Sequence, residues 1–208
     1  MSVLHVLLAV IISASTAQAK VYIDIDSPGG KKLPIALQGF KTLANDRSDA
    51  VNDETYNALS GDLDFSGLFD IISKKAHIVN PESGGIALNE IDFSSWRAIG
   101  AQMLVTTGVK IEDQTLTVEF RLFDTVRENL IVGRRYIGST KDPRIISHRF
   151  ADEIIRELTG SPGIFSTKLL FASIRTGSKE IYVSDYDGGN VRQVTKNNSI
   201  NLSPQWSP

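Results

Sequence analysis

"MLVTTGVKIEDQTLTVEFRLFDTVRENLIVGRRYIG", residues 103 to 138, carries the clearest alternation in the chain. Leu116, Val118, Phe120 and Leu122 fall on one side of an extended backbone, and Thr117, Glu119, Arg121 and Phe123 on the other. That period of two is expected of a strand with one buried face. Turn signals near Asp113 and over Arg127 to Asn129 cut the stretch into three pieces, so it reads as three antiparallel strands.

The flanks supply helices to cover such a sheet. From Arg47 to Leu63, Val51, Thr55, Ala58, Leu59 and Leu63 recur at helical spacing, with Ser48 or Asp49 available as the cap. "LDFSGLFDIIS" follows, with a turn at Gly67 and a short buried strand over Leu68 to Ile72, so helix then strand predicts a βαβ-like layer. A glycine-rich loop spans Pro81 to Gly85, and "DFSSWRAIGA" predicts one or two helical turns stopped at Gly100, with Trp96 in the core.

Downstream of the meander, "KDPRIISHRFADEIIRELTGSPG" has Asp142 at the cap, Pro143 at the first helical position, and Gly160 and Pro162 past the end. Ile146, Phe150, Ala151, Ile154, Ile155 and Leu158 form its buried stripe, while Arg149 with Glu153 and Asp152 with Arg156 are expected as ion pairs on the wet face. The Gly160 to Gly163 punctuation marks the best domain boundary. Beyond it "IFSTKLLFASIRT", "KEIYVSDYDG", "NVRQVTK" and "NLSPQWSP" read as four short strands, and Asp187-Gly188-Gly189 supplies left-handed residues for a hairpin turn. Four short strands in so little chain are the size of one propeller blade.

The 208 residues are 41% hydrophobic, enough to bury a core, and the formal charge of −2 gives no general attraction to nucleic acid or an anionic membrane. With no cysteine in the chain, disulfides, thiolate metal sites and cysteine nucleophiles are excluded. The N-terminal "VLHVLLAVIISASTAQA" has an apolar run from Val6 to Ile12 and an Ala17-Gln18-Ala19 site, so residues 1–19 read as an export signal and the mature chain as starting at Lys20. The run is too short for the roughly 30 Å hydrocarbon core of a bilayer. No Lys or Arg precedes it, a departure from the usual signal that puts the assigned start codon in question.

Between the signal and the first domain strand lies "KVYIDIDSPGGKK". Val21, Ile23 and Ile25 alternate with Tyr22, Asp24 and Asp26, and Pro28, Gly29 and Gly30 then break the extended run. Two readings stay open for residues 20–32: a first strand ending in a loop, or a mobile recognition arm.

Catalytic patterns are absent: there is no G-x-S-x-G, H-E-x-x-H, Walker lysine loop or G-x-G-x-x-G turn. Of the three histidines, His5 lies in the signal, His77 in a strand-to-loop stretch and His148 beside the stripe of the last helix. His148 with Asp152 has the spacing of a base and its orienter, but a half-buried ion pair explains it more simply. The pairs Asp24 with Asp26 and Asp62 with Asp64 lack companion ligands and read as strand-face or helix-end carboxylates, and Asp185 and Asp187 as turn residues. No catalytic residue, metal site or cofactor is assigned.

"DIDSPGGKKLPIALQGF", "LDFSGLFDIIS", "WRAIGAQMLVTTGV", "VEFRLFD", "IYVSDYDG" and "SPQWSP" together resemble the TolB family of the periplasmic Tol-Pal envelope system. The resemblance implies an α/β domain over residues 20–162, with a mixed sheet and two to three helices, followed by the start of a six-bladed β-propeller, here its first blade over residues 163–208. Family blades continue past the "WSP" on which this chain halts, so the chain is expected to be a fragment. The resemblance further implies a periplasmic, non-enzymatic interaction component that links the inner-membrane protein TolA to the lipoprotein Pal, supporting envelope integrity and outer-membrane constriction at cell division. The segment matching the TolA-docking element is Val21, Tyr22, Ile23, Asp24, Ile25, Asp26, Ser27, Pro28, Gly29, Gly30, Lys31 and Lys32. Pal would be received mainly by blades that are not in this sequence. An alternative compatible with the "WSP" blade motif is the N-terminal part of a propeller-fused serine peptidase.

Overall fold

The structure, a computed structural model, describes residues 31–43, 48–78 and 84–207. The signal, the arm residues Val21 to Gly30 and the first part of the glycine-rich loop, Pro81 to Ser83, lie outside the described residues.

The meander forms as its alternation predicts. β4 (Met103–Glu112), β5 (Thr115–Asp124) and β6 (Asn129–Ser139) pair antiparallel in sequence order. Asp113 turns the first hairpin with a φ of 54°, and the Asp124 carboxylate accepts the backbone N–H groups of Val126 (2.9 Å) and Arg127 (2.8 Å) to organise the second. A bulge between Leu122 and Phe123 absorbs one extra residue of β6.

β1 (Leu33–Leu37) and the two-residue β2 (Lys41–Thr42) both add parallel to β4, and β3 (Phe69–Ile71) adds parallel to the other side of β1. The sheet therefore runs β3-β1-β4-β5-β6, and is mixed. Between β1 and β3 the chain crosses over through α1 (Asp49–Phe65), the βαβ unit that parallel neighbours require. Ser48 caps α1 by accepting the N–H of Val51 at 3.4 Å. α3 (Arg144–Thr159) lies beside α1 on the same sheet face, and Ser147 on α3 donates to the Thr55 carbonyl on α1 at 2.8 Å.

The core sits between those helices and the sheet. Leu116, Val118, Phe120 and Leu122 are buried with Leu59 and Leu63 of α1 and Phe150 and Ile154 of α3, and the Phe120 and Phe150 rings stack with centroids 4.6 Å apart. A smaller cluster lies on the opposite face, where α2 (Phe93–Ala98) packs Phe93 and Trp96 on Ala36, Leu104 and Phe123. Phe123, read from alternation as a wet-face residue, is thus fully buried, because α2 covers that end of the second face.

Two expectations about α3 are corrected. Pro143, not Asp142, occupies the cap position, with no side-chain cap bond. The wet-face ion pairs are also different: Glu153 receives Arg134 (2.9 Å) and Arg156 (2.5 Å), while Asp152 accepts the backbone N–H groups of Phe165 (2.8 Å) and Ser166 (2.9 Å). Asp152 therefore holds the chain that leaves the helix. Gly163 lets this stretch approach closely, since a Cβ there would lie 2.8 Å from the Asp152 Cα.

Beyond the helix a second, antiparallel sheet forms from β7 (Lys168–Ser173), β8 (Glu180–Asp185) and β9 (Arg192–Gln193). It has three strands where four were expected; residues 194–207 are not in strand conformation. The buried Glu180 carboxylate accepts the backbone N–H groups of Asn197 (3.1 Å) and Asn198 (2.7 Å), which fixes the stretch after β9 as a loop folded over the end of β8. In the turn after β8 the left-handed positions are Gly188 and Asn190 rather than Gly188 and Gly189. Among the described residues no helix is long and apolar enough to cross a membrane.

Candidate functional site

The densest group of interacting polar side chains is the seam where the second sheet meets α1 and α3. Each element contributes for a local reason. On α3, Arg144 and His148 are one turn apart, one beside the buried stripe and one at the helix start. On α1, Asp62 lies one residue before Leu63 and faces α3. The turn after β8 carries Asp185, Tyr186 and Asp187 onto both helices.

His148 is buried, and its Nδ1 lies 2.8 Å from Asp62 Oδ2. Because an ionised carboxylate only accepts, Nδ1 donates to Asp62 and the ring turns its Nε2 to the other side. The second Asp62 oxygen accepts the Tyr186 hydroxyl at 2.5 Å, and the Tyr186 ring stands edge-on to His148, Phe65 and Phe165. Burial, together with the Asp62 carboxylate, pushes the Tyr186 hydroxyl well above its ordinary value, so it donates throughout the physiological range. Arg144 donates to Asp187, and Lys168 to Asp185, which also receives the Asn190 amide at 2.8 Å. Burial raises the Asp185 carboxyl, but the Lys168 and Asn190 bonds and the nearby Lys168 and His148 charges outweigh it and hold the group below the usual carboxylate range.

Two clefts flank the seam. One of about 190 Å³ opens between His148, Arg149, Phe165, Lys168 and Asp185. The other, of about 380 Å³, lies over Gly61, Asp62, Phe65, Arg144 and Tyr186.

Sequence reasoning singled out Asp62, His148, Asp185 and Asp187 but not their company, and it missed Arg144, Lys168, Tyr186 and Asn190, whose partners lie far away in sequence. Asp62 and His148 are paired with each other, instead of with Asp64 and Asp152, because the α1 to α3 contact spans 86 positions. Asp187 keeps its expected turn bond to the Gly189 N–H at 2.9 Å and adds the contact to Arg144. Of the proposed docking segment, only Lys31 and Lys32 are described, both exposed. They immediately precede β1, whose Leu33 N–H is held by the Leu68 carbonyl at 2.9 Å, next to the outer strand β3.

The family profile of the TolB amino-terminal domain matches residues 21–131. The chain belongs to that family. Its members of known name include the Tol-Pal system protein TolB of Desulfosudis oleivorans, 39% identical over 89% of this chain, and that of Geobacter metallireducens, 38% identical over 90%. The chain spans less than half the length of those TolB relatives, 43% in both cases. The crystal structure of TolB from Acinetobacter baumannii superposes with a TM-score of 0.66 at 24% identity, covering 89% of this chain and 44% of that one. The TolB fold is therefore shared across most of the present chain.

Proposed function

We infer that this chain is a non-enzymatic interaction component of a Tol-Pal system, acting in the periplasm, in which residues 21–32 dock an inner-membrane TolA-like protein. The observation that carries the reading is the family match, which begins at residue 21 and so includes the docking segment. Its physical basis is backbone chemistry. An extended arm can add to an open sheet edge through main-chain hydrogen bonds, with alternate side chains, here Val21, Ile23 and Ile25, giving selectivity. Pro28, Gly29 and Gly30 separate that arm from β1, so docking need not disturb the sheet.

The β7 to β9 sheet takes the place of a first propeller blade in this reading. Its half-exposed Val194 and more exposed Ile174, Ile200 and Trp206 suit a surface on which further blades pack. A Pal-like lipoprotein would then be received mainly by those blades, and TolA-like binding by residues 21–32. The TolB names of the relatives favour this over the peptidase reading. The test is to measure affinity for a TolA-like protein before and after deletion of residues 20–32. Binding by the intact chain and loss on deletion are expected; unchanged affinity would refute the docking role.

A further inference from the structure

Among the described residues, seven buried side-chain polar atoms have no hydrogen-bond partner, and three of them, Asp142 Oδ1, Arg144 Nε and His148 Nε2, belong to the seam. His148 is the telling one. Its residue is 2% exposed, its Nδ1 is committed to Asp62, and its Nε2 lies 3.7 Å from the Asp187 carboxylate, beyond hydrogen-bond reach. One ligand atom from each of His148, Asp185 and Asp187 lies within 4.8 Å of the others. A buried, unpartnered imidazole nitrogen converging with two carboxylates, on a ring oriented from behind by a third, is the arrangement that metal-binding histidines use once deprotonated.

We propose that the seam binds a divalent transition-metal ion of the zinc class through His148 Nε2 and the carboxylates of Asp185 and Asp187, with solvent from the adjacent 190 Å³ cleft completing the coordination. The imidazole selects for zinc-like ions over Ca²⁺ and Mg²⁺, which prefer all-oxygen sites. Ligand atoms in a tetrahedral zinc site stand roughly 3.4 Å apart, so the group needs only a small contraction. Lys168 and Arg144 now neutralise the two carboxylates, and Lys168, at 45% side-chain exposure, has solvent into which its ammonium can move. The ion would tie the end of β8 and its turn to α3, fastening the second sheet to the first domain.

The test uses the full chain, stripped with EDTA, dialysed and titrated with ZnCl₂ by calorimetry and thermal unfolding. One ion per chain is expected, with a melting temperature that rises with free Zn²⁺ and is unmoved by equal Ca²⁺ or Mg²⁺. His148→Gln and Asp187→Asn should each weaken binding by about tenfold or more. Lys168→Ala should tighten it, since a competitor for Asp185 is gone. His148→Gln also removes the partner of buried Asp62, so Asp187→Asn, on the exposed turn, is the variant to read once circular dichroism shows it folded. Absence of Zn²⁺ binding would overturn the proposal, as would undiminished binding by both ligand variants, which would assign the ion to His5 or His77.

Discussion

Asp62 shows how one residue acquires a role that its neighbours in sequence do not announce. Beside Asp64 it is one of two carboxylates near the end of a helix; in the fold it is 1% exposed and holds both His148 and Tyr186. A buried carboxylate is tolerated only while its oxygens are satisfied. Tyr186→Phe keeps the ring contacts with Phe65, Phe165 and His148 and removes the hydroxyl alone. It should cost about 1–3 kcal/mol, the range for a hydrogen bond to a charged group and for leaving a buried acceptor unsatisfied. Urea unfolding at pH 7 measures this, and an unchanged midpoint would show that the seam does not depend on the bond.

At the scale of elements, legibility follows the range of the interaction. The meander was readable because its strands are joined by turns of a few residues and each strand's alternation is set by its own pleat. The α3 stripe was readable for the same reason, and every residue assigned to it is buried. Asp152 was not: four residues from Arg156 on a helix it has the signature of a surface ion pair, and only the close return of residues 163–166 supplies backbone donors instead. The fourth strand was over-read because alternation cannot reveal that Glu180 gathers the 197–198 backbone into a loop. Asp152→Ala separates the two readings of that helix. Loss of an exposed pair would change stability by at most a few tenths of a kcal/mol. Loss of two charge-assisted bonds should instead raise amide exchange at Phe165 and Ser166 and lower the unfolding free energy by about 1–3 kcal/mol.

For the whole molecule, the second sheet brings its own dependence on pH, because Asp185 at the end of β8 holds Lys168 of β7 and Asn190 of the following turn. The Asp185 carboxyl titrates below its unfolded value, so its contribution is fully present above about pH 4 and is lost as pH falls through its folded value. Acidification should therefore loosen the β7 to β9 sheet before the first domain unfolds, whose core is mainly apolar. Tyrosine fluorescence and amide exchange followed from pH 6 to pH 3 give the order of events. Simultaneous loss of protection in both sheets would show that the second sheet is not the more acid-sensitive part. The proposed docking segment lies at the far end of the chain in sequence, which lets its binding be measured separately from this transition.

The contact between Asp62 and Tyr186 bridges 124 positions. α1 and the meander precede Tyr186 in the order of synthesis and of export, and domains fold from the N-terminus as they emerge. Until then Asp62 must be served by water on the side that the tyrosine later fills, so the nascent domain is complete in its sheet but still wet along one helix. Closing that side expels the water and comes last. Damage to the turn after β8 should consequently appear first as a poor yield of folded protein, in a domain whose own residues are all intact.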